Sequence, residues 1–181
     1  KELRMSTWTP YIGITGFMHR HEGDVLLRIF PQDSKFKVMR GVLASQKTML
    51  HETNKWPNRY PKPEDISVIF TDHPSVLNLV HYNTKEHATL YEQMVVVTEI
   101  AGPYFHGFQL NLAWPAADVL RDYKRAYPDK KIVLQVGSRA FEMVENSPEK
   151  LAKRAEAYYD CIDYLLLDPS GGYGKPFDPL T

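Results

Sequence analysis

Short apolar runs alternate with amphipathic stretches along most of this chain. The apolar runs are typical of buried parallel strands and predict strands at Tyr11–Thr15, Val38–Ala44, Val76–His81, Gly107–Asn111, Ile132–Val136 and Tyr164–Asp168. The stretches between them have helical spacing and predict helices at about Asp24–Phe30, Pro63–Phe70, Lys85–Ile100, Pro115–Tyr127 and Pro148–Tyr159. Strands and helices that alternate in this way form right-handed βαβ units, so the pattern predicts an α/β fold with a parallel sheet.

Several predicted helices carry a start signal. Ser147 precedes Pro148 and an acidic first turn, so it is expected to be an N-cap. Trp114 precedes Pro115, and a residue before proline is expected to be extended. Both signals favour helices that begin at a proline.

The pattern leaves the arrangement of the sheet open. It fits an open doubly wound sheet or strands closed into a barrel. None of the predicted strands leads into a G-x-G-x-x-G helix start, so a dinucleotide-binding sheet has no support. The long segment 45–62 suits a loop that reaches over the active-site face of a barrel. Nothing marks a domain boundary, so we expect one domain over residues 1–181.

Composition and charge exclude several classes of protein. The chain has 22 basic and 22 acidic residues, and its net charge of zero gives no electrostatic case for nucleic-acid binding. It has no apolar run near the ~18 residues that indicate a membrane-spanning helix, and no apolar signal region follows Lys1–Arg4. Cys161 is the only cysteine, which excludes an internal disulfide and a cysteine-based zinc site. We therefore expect a buried thiol, a cytoplasmic location, no membrane partner and no cofactor.

The last predicted strand carries the strongest candidate for a functional site. Asp168 lies at its tip, and catalytic groups of β/α barrels lie at the carboxyl ends of strands. In the loop that follows, Gly171, Gly172 and Gly174 allow the backbone to approach an anion, and Lys175 can supply the opposite charge. Asp168 could instead accept backbone hydrogen bonds and cap this loop.

Polar residues also follow the fourth and fifth strands. Gln109 and Asn111 share one strand face by the two-residue period, so Asn111 is expected to face a ligand at the mouth and Gln109 to lie deeper. Arg139 follows the fifth strand and could bind an anion or form a surface salt bridge.

A histidine pair follows the first strand, within His19–Glu22. In extended backbone an H-x-H pair directs both imidazoles to the same side, as a metal site requires. His81 and His106 are available as further ligands. The pair can be interpreted as a solvated polar loop, which we favour, or as part of a metal-dependent hydrolase that uses His19 and His21.

The order of motifs resembles that of the phosphoribosylanthranilate isomerase family. The most specific match is Leu165-Leu-Leu-Asp168 with Gly171-Gly-Tyr-Gly-Lys175-Pro-Phe-Asp178, which is similar to the family's L-L-L-D-S and G-G-T-G-K-x-F-D-W. Weaker matches are Phe108-Gln-Leu-Asn111, Leu77–Asn83 and Pro57-Asn-Arg-Tyr60. The resemblance implies a TIM-barrel fold of the (β/α)8 type, of which about six βα units are present and strands 7 and 8 are lacking. A longer chain, an oligomer or a second chain would then complete the barrel, or the sheet would close differently.

The resemblance also implies an activity. The family catalyses an Amadori rearrangement in tryptophan biosynthesis, in which a phosphorylated aminoaldose becomes an aminoketose. Asp168 would be the general acid, Arg59 would contact the carboxylate of the anthranilate, and the Gly171–Lys175 loop would lie near the phosphorylated ribose. The expected partner is a small phosphorylated or anionic molecule.

One departure bears directly on this activity. The family's general base is a cysteine at the end of the first strand, and Thr15 occupies that place here. Threonine does not ionise near neutral pH, so it cannot remove a proton unaided. His19 or His21 could supply a base from the same loop, or the chain could be a relative that binds a ligand without catalysis.

Overall fold

The structure, a computed structural model, describes residues 10–30 and 34–168. Within these ranges the predicted parallel sheet is confirmed. Six strands lie in the order β1-β2-β3-β4-β5-β6, and every neighbouring pair is parallel. Their bounds are Tyr11–Thr15 (β1), Lys37–Ser45 (β2), Val76–Asn83 (β3), Gly107–Leu110 (β4), Lys131–Gly137 (β5) and Tyr164–Asp168 (β6).

Seven α-helices connect these strands within the described ranges. They are Arg20–Ile29 (α1), Gln46–Met49 (α2), Ile66–Ile69 (α3), Leu90–Ala101 (α4), Ala117–Ala126 (α5), Ser138–Glu142 (α6) and Pro148–Ala155 (α7). Single 3-10 turns lie at Pro57–Arg59, Pro63–Asp65, His87–Thr89 and Glu156–Tyr158. The predicted N-cap is confirmed, since the Ser147 side chain accepts a hydrogen bond from the Lys150 N–H.

Helix α1 begins at Arg20, four residues before its predicted start, because a side chain closes its first turn. The Glu22 carboxylate accepts hydrogen bonds from the backbone N–H groups of Met18, at 2.7 Å, and His19, at 2.8 Å. His21 is therefore helical. The prediction that His19 and His21 share an extended segment was wrong.

The sequential strand order distinguishes between the two arrangements that the sequence left open. A doubly wound sheet reverses its strand order at a switch point, whereas this sheet does not. With right-handed crossovers, sequential order places all the helices on one face of the sheet. The main core lies on that face, between the helices and side chains such as Val42, Val80, Phe108 and Leu134. Cys161 is fully buried there, as predicted, and burial raises the pKa of its thiol.

The other face of the sheet is concave. The rings of Tyr11 and Tyr164, on the first and last strands, meet edge to face with centroids 6.0 Å apart. These two edge strands share no backbone hydrogen bonds, but the sheet curls far enough for their side chains to touch. The result is a curled half-barrel with helices on its outer side. None of the helices in the described ranges is long and apolar enough to cross a membrane.

The tyrosine contact gives a test of this curvature. In a double-mutant cycle of Tyr11→Leu and Tyr164→Leu, we expect a coupling of ~0.5–1.5 kcal/mol in the free energy of unfolding, the range for aromatic pairs. Urea unfolding of the four proteins measures it. Additive effects of the two substitutions would contradict contact between the edge strands.

Candidate functional site

The concave face changes from apolar to polar toward the carboxyl ends of the strands. Near the amino ends, Leu77, Leu79 and Val133 form a small apolar cluster that Tyr11 and Tyr164 partly cover. Nearer the carboxyl ends, four neighbouring strands each contribute one polar side chain: His81, Gln109, Gln135 and Asp168. The floor of the concave face is therefore apolar, and a polar layer lies above it.

These four side chains form a continuous hydrogen-bonded chain, which we call the amide relay. Gln135 Nε2 donates to Asp168 Oδ2 at 2.9 Å. Gln109 Nε2 donates to Gln135 Oε1 at 2.9 Å and lies 3.5 Å from His81 Nδ1. Gln109 and Gln135 are only 8% and 5% exposed, so these bonds are largely shielded from water.

The carboxyl group fixes the direction of the amide relay. Asp168 Oδ2 can only accept, as a carboxylate or with a proton on the other oxygen, so the Gln135 amide directs its NH2 group to it. The Gln135 carbonyl oxygen then accepts from Gln109. Because the Gln109 NH2 group faces both Gln135 and His81, its second N–H is available to His81 Nδ1.

Burial and two nearby charged groups determine the charge state of His81. Burial lowers the pKa of His81 to about 4, the positive charge of Arg59 adds to this effect, and Asp168 opposes it. The guanidinium of Arg59 also packs beside Gly16, where a Cβ would lie 3.4 Å from Nη2. The segment 45–62 thus delivers Arg59 to the carboxyl end of β1, as expected of a loop over the mouth.

A cleft of about 880 Å³ opens at the carboxyl ends of β3, β4 and β5. Gln135 of the amide relay lines it, together with Asn83, Asn111 and Gly137. The Asn111 Oδ1 lies 3.9 Å from where a Cβ would stand at Gly137, so the missing side chain keeps this part of the cleft open. Asn111 thus faces the cleft, and Gln109 lies deeper.

The charged side chains that line the cleft are basic. Lys85 and Arg139 line it, and no aspartate or glutamate is among the described residues of its wall. Among the described residues, neither cation forms an ion pair with a carboxylate. Two exposed cations without a carboxylate at one cleft are typical of an anion-binding surface.

Trp114 forms part of the wall and differs from its prediction. Its φ is +49°, in the left-handed region, whereas the residue before Pro115 was expected to be extended. The indole Nε1 donates to the Ala140 carbonyl at 2.9 Å, and the ring packs against Tyr158. These contacts hold an unfavourable backbone geometry beside the cleft, where such strain is often found.

Thr15 lies at the end of β1 on the concave face and packs directly on β2. A Cβ at its register partner Gly41 would lie only 2.5 Å from Thr15 Oγ1. The missing side chain of Gly41 therefore makes room for the threonine. Arg59 packs beside Gly16, the residue that follows Thr15. Among the described residues, no ionisable side chain is hydrogen-bonded to the Thr15 hydroxyl to activate it.

The two histidines after β1 face each other outside the amide relay. The rings of His19 and His21 stack with centroids 5.5 Å apart, at the start of α1. Within the described ranges, no group of three or more His, Cys, Asp or Glu side chains is arranged to hold a metal ion. Another predicted ligand, His106, accepts a hydrogen bond at Nδ1 from the Asn78 N–H at 2.8 Å.

The predicted loop residues Gly171, Gly172, Gly174 and Lys175 lie outside the described residues. Of the other predicted site residues, Asp168, Arg59, Asn111 and Arg139 all lie at the carboxyl-end side of the sheet. Sequence reasoning missed the amide relay and Lys85. The two-residue period indicates only that Gln109 and His81 each share a strand face with the residues two positions away.

Comparison with known proteins adds no relative. No protein-family model, curated protein or solved structure matches this chain. What the site can do is therefore inferred from the side chains that the fold brings together.

Proposed function

We propose that this chain binds a small phosphorylated sugar derivative at the carboxyl ends of its strands and isomerises it by acid–base proton transfer. The observation that carries the proposal is the cleft itself, which is lined by Lys85 and Arg139, neither paired with a carboxylate among the described residues, and by Gln135, which is hydrogen-bonded to Asp168. A phosphate is bound by cations that are not already paired with a carboxylate, and a proton transfer needs an ionisable group beside the sugar.

The resemblance to phosphoribosylanthranilate isomerases supports the same roles. Asp168 would donate a proton to the ring oxygen of the sugar, which opens the ring. Arg59, which packs beside Gly16 at the carboxyl end of β1, would contact a carboxylate on the other end of the substrate. The curled sheet of parallel strands is compatible with part of a (β/α)8 barrel, the fold of that family.

The cations of the cleft give the first test. Arg139→Gln is expected to weaken binding of ribose 5-phosphate about tenfold, since one charge-assisted hydrogen bond contributes ~1.5 kcal/mol. Calorimetric titration at low ionic strength measures this, and the difference should shrink at high salt because exposed charges are screened.

Arg125→Gln is the matched control. Arg125 is also exposed, but it lies on α5 and pairs with Asp122 at 2.6 Å, away from the cleft. An equal loss of affinity in both variants would indicate a nonspecific charge effect. A wild-type protein that binds neither ribose 5-phosphate nor inorganic phosphate would contradict the proposed function.

A second candidate is a ligand-binding protein without catalysis. The observation that favours it is Thr15, which packs on Gly41 at the place of the family's catalytic cysteine. Ribose 5-phosphate binding without turnover of phosphoribosylanthranilate, measured by loss of anthranilate-type fluorescence, would support this candidate over the isomerase.

A further inference from the structure

We infer that His81 is a neutral hydrogen-bond donor of the site, held as the Nε2–H tautomer by the amide relay, and that it binds an oxygen atom of the sugar. This inference rests on the proposed function for the identity of the ligand. The tautomer itself depends only on the contacts of the relay.

The tautomer follows from the direction of the hydrogen bonds. Asp168 Oδ2 accepts from Gln135, Gln135 accepts from Gln109, and Gln109 turns its NH2 group toward His81 Nδ1. A nitrogen that faces an N–H donor must be unprotonated to accept from it. The imidazole proton of neutral His81 therefore belongs on Nε2.

The surroundings of His81 keep the ring neutral. Burial disfavours the imidazolium, and Arg59, from the segment after β2, repels it. Asp168 on β6 attracts the positive charge, but the net effect is a pKa of about 4. The ring remains neutral at physiological pH, so it can donate from Nε2 without first releasing or gaining a proton.

The position of His81 suits contact with a ligand. It lies on the concave face of β3, two residues before Asn83, which lines the cleft. Its neighbours in the relay, Gln109 and Gln135, are buried, and the Gln109 NH2 group donates to the Gln135 carbonyl oxygen. Gln109 and Gln135 are thus positioning residues for His81, whose Nε2–H has no protein acceptor among the described residues.

Nitrogen NMR of 15N-histidine-labelled protein tests the tautomer without any ligand. We expect unprotonated Nδ1 and protonated Nε2 at His81, with a titration midpoint near 4 instead of the ordinary ~6.5. Gln109→Met removes the N–H donor at similar side-chain length, and Nδ1-protonated imidazole should then become populated.

Gln93→Met is the matched control, because Gln93 accepts from the Tyr82 hydroxyl on the helix face and does not contact the relay. It should leave the His81 spectrum unchanged. Protonated Nδ1 in the wild type, or an unchanged tautomer in Gln109→Met, would overturn the inference.

Binding measurements test the contact with the sugar. His81→Phe should weaken ribose 5-phosphate binding about tenfold and leave inorganic phosphate binding unchanged, because phosphate alone lacks the sugar oxygen. Equal affinities of wild type and variant for ribose 5-phosphate would overturn the donor role. If the wild type binds neither probe, the proposed function is wrong and no sugar oxygen reaches His81, whereas the NMR result still decides the tautomer.

Discussion

Asp168→Asn is expected to lower the turnover of phosphoribosylanthranilate by about two to four orders of magnitude, the usual contribution of a general acid or base. The asparagine Oδ1 can still accept the hydrogen bond from Gln135 Nε2, so the amide relay and the fold should persist. The substitution removes the ionisable group, with its exchangeable proton and its negative charge. Steady-state kinetics should therefore show the decrease in kcat, with a smaller change in KM.

Asp160→Asn makes the same chemical change on the helical side of the molecule. Asp160 pairs with Arg121 at 2.8 Å and is not part of the relay or the cleft. Its turnover should equal that of the wild type. Equal turnover in Asp168→Asn and the wild type would show that another group exchanges the proton. If turnover decreases, urea unfolding of both variants tests whether loss of the fold is the cause.

The strands could be predicted from the sequence because each is a continuous apolar run, as is typical of parallel strands, although only β2 to β5 are mostly buried here. Strands β1 and β6 have the predicted bounds, and the others differ by one or two residues. The helices α2 and α6 were missed because four or five residues do not establish a helical period. The early start of α1 depends on one carboxylate, Glu22, which accepts from two backbone N–H groups.

The amide relay could not be predicted because it depends on strand register. Val133, not Gln135, is the register partner of Gln109, and Gln135 lies two residues further along β5. Asp168 is likewise two residues beyond Leu166, the partner of Gln135. Because of this stagger, side chains that are not register partners lie side by side across the sheet. The apolar and polar pattern of a single strand does not reveal the offset between strands.

His81 illustrates the difference between residue type and environment. The sequence presented it as a partner for a metal at His19 and His21, since histidine is a common metal ligand. In the structure His81 lies beside Gln109, and the positive charge of Arg59 lowers its pKa. The stacked rings of His19 and His21 lie at the start of α1. Its neutral state follows from burial, which depends on the curl of the sheet.

The backbones of β4 and β5 approach closely at Gly107, so Gly107→Ala is expected to be strongly destabilising. Gly107 has a φ of +154°, and a Cβ there would overlap the carbonyl oxygen of Lys131 and lie 2.6 Å from its nitrogen. Both atoms are backbone, so no side chain can move aside. We expect the free energy of unfolding to fall by ~3–5 kcal/mol, the range of severe single substitutions.

Gly13→Ala is the matched control on β1 for the same change. A Cβ at Gly13 would meet no atom within 4 Å, and its φ lies outside the left-handed region. Alanine costs less chain entropy than glycine on folding, so this variant should equal the wild type or be more stable by ~0.5–1 kcal/mol. Urea unfolding followed by circular dichroism compares the three proteins. Similar stabilities of Gly107→Ala and Gly13→Ala would mean that β4 and β5 are not this close where their pairing begins, and the register that pairs Gln109 with Val133 would then be wrong.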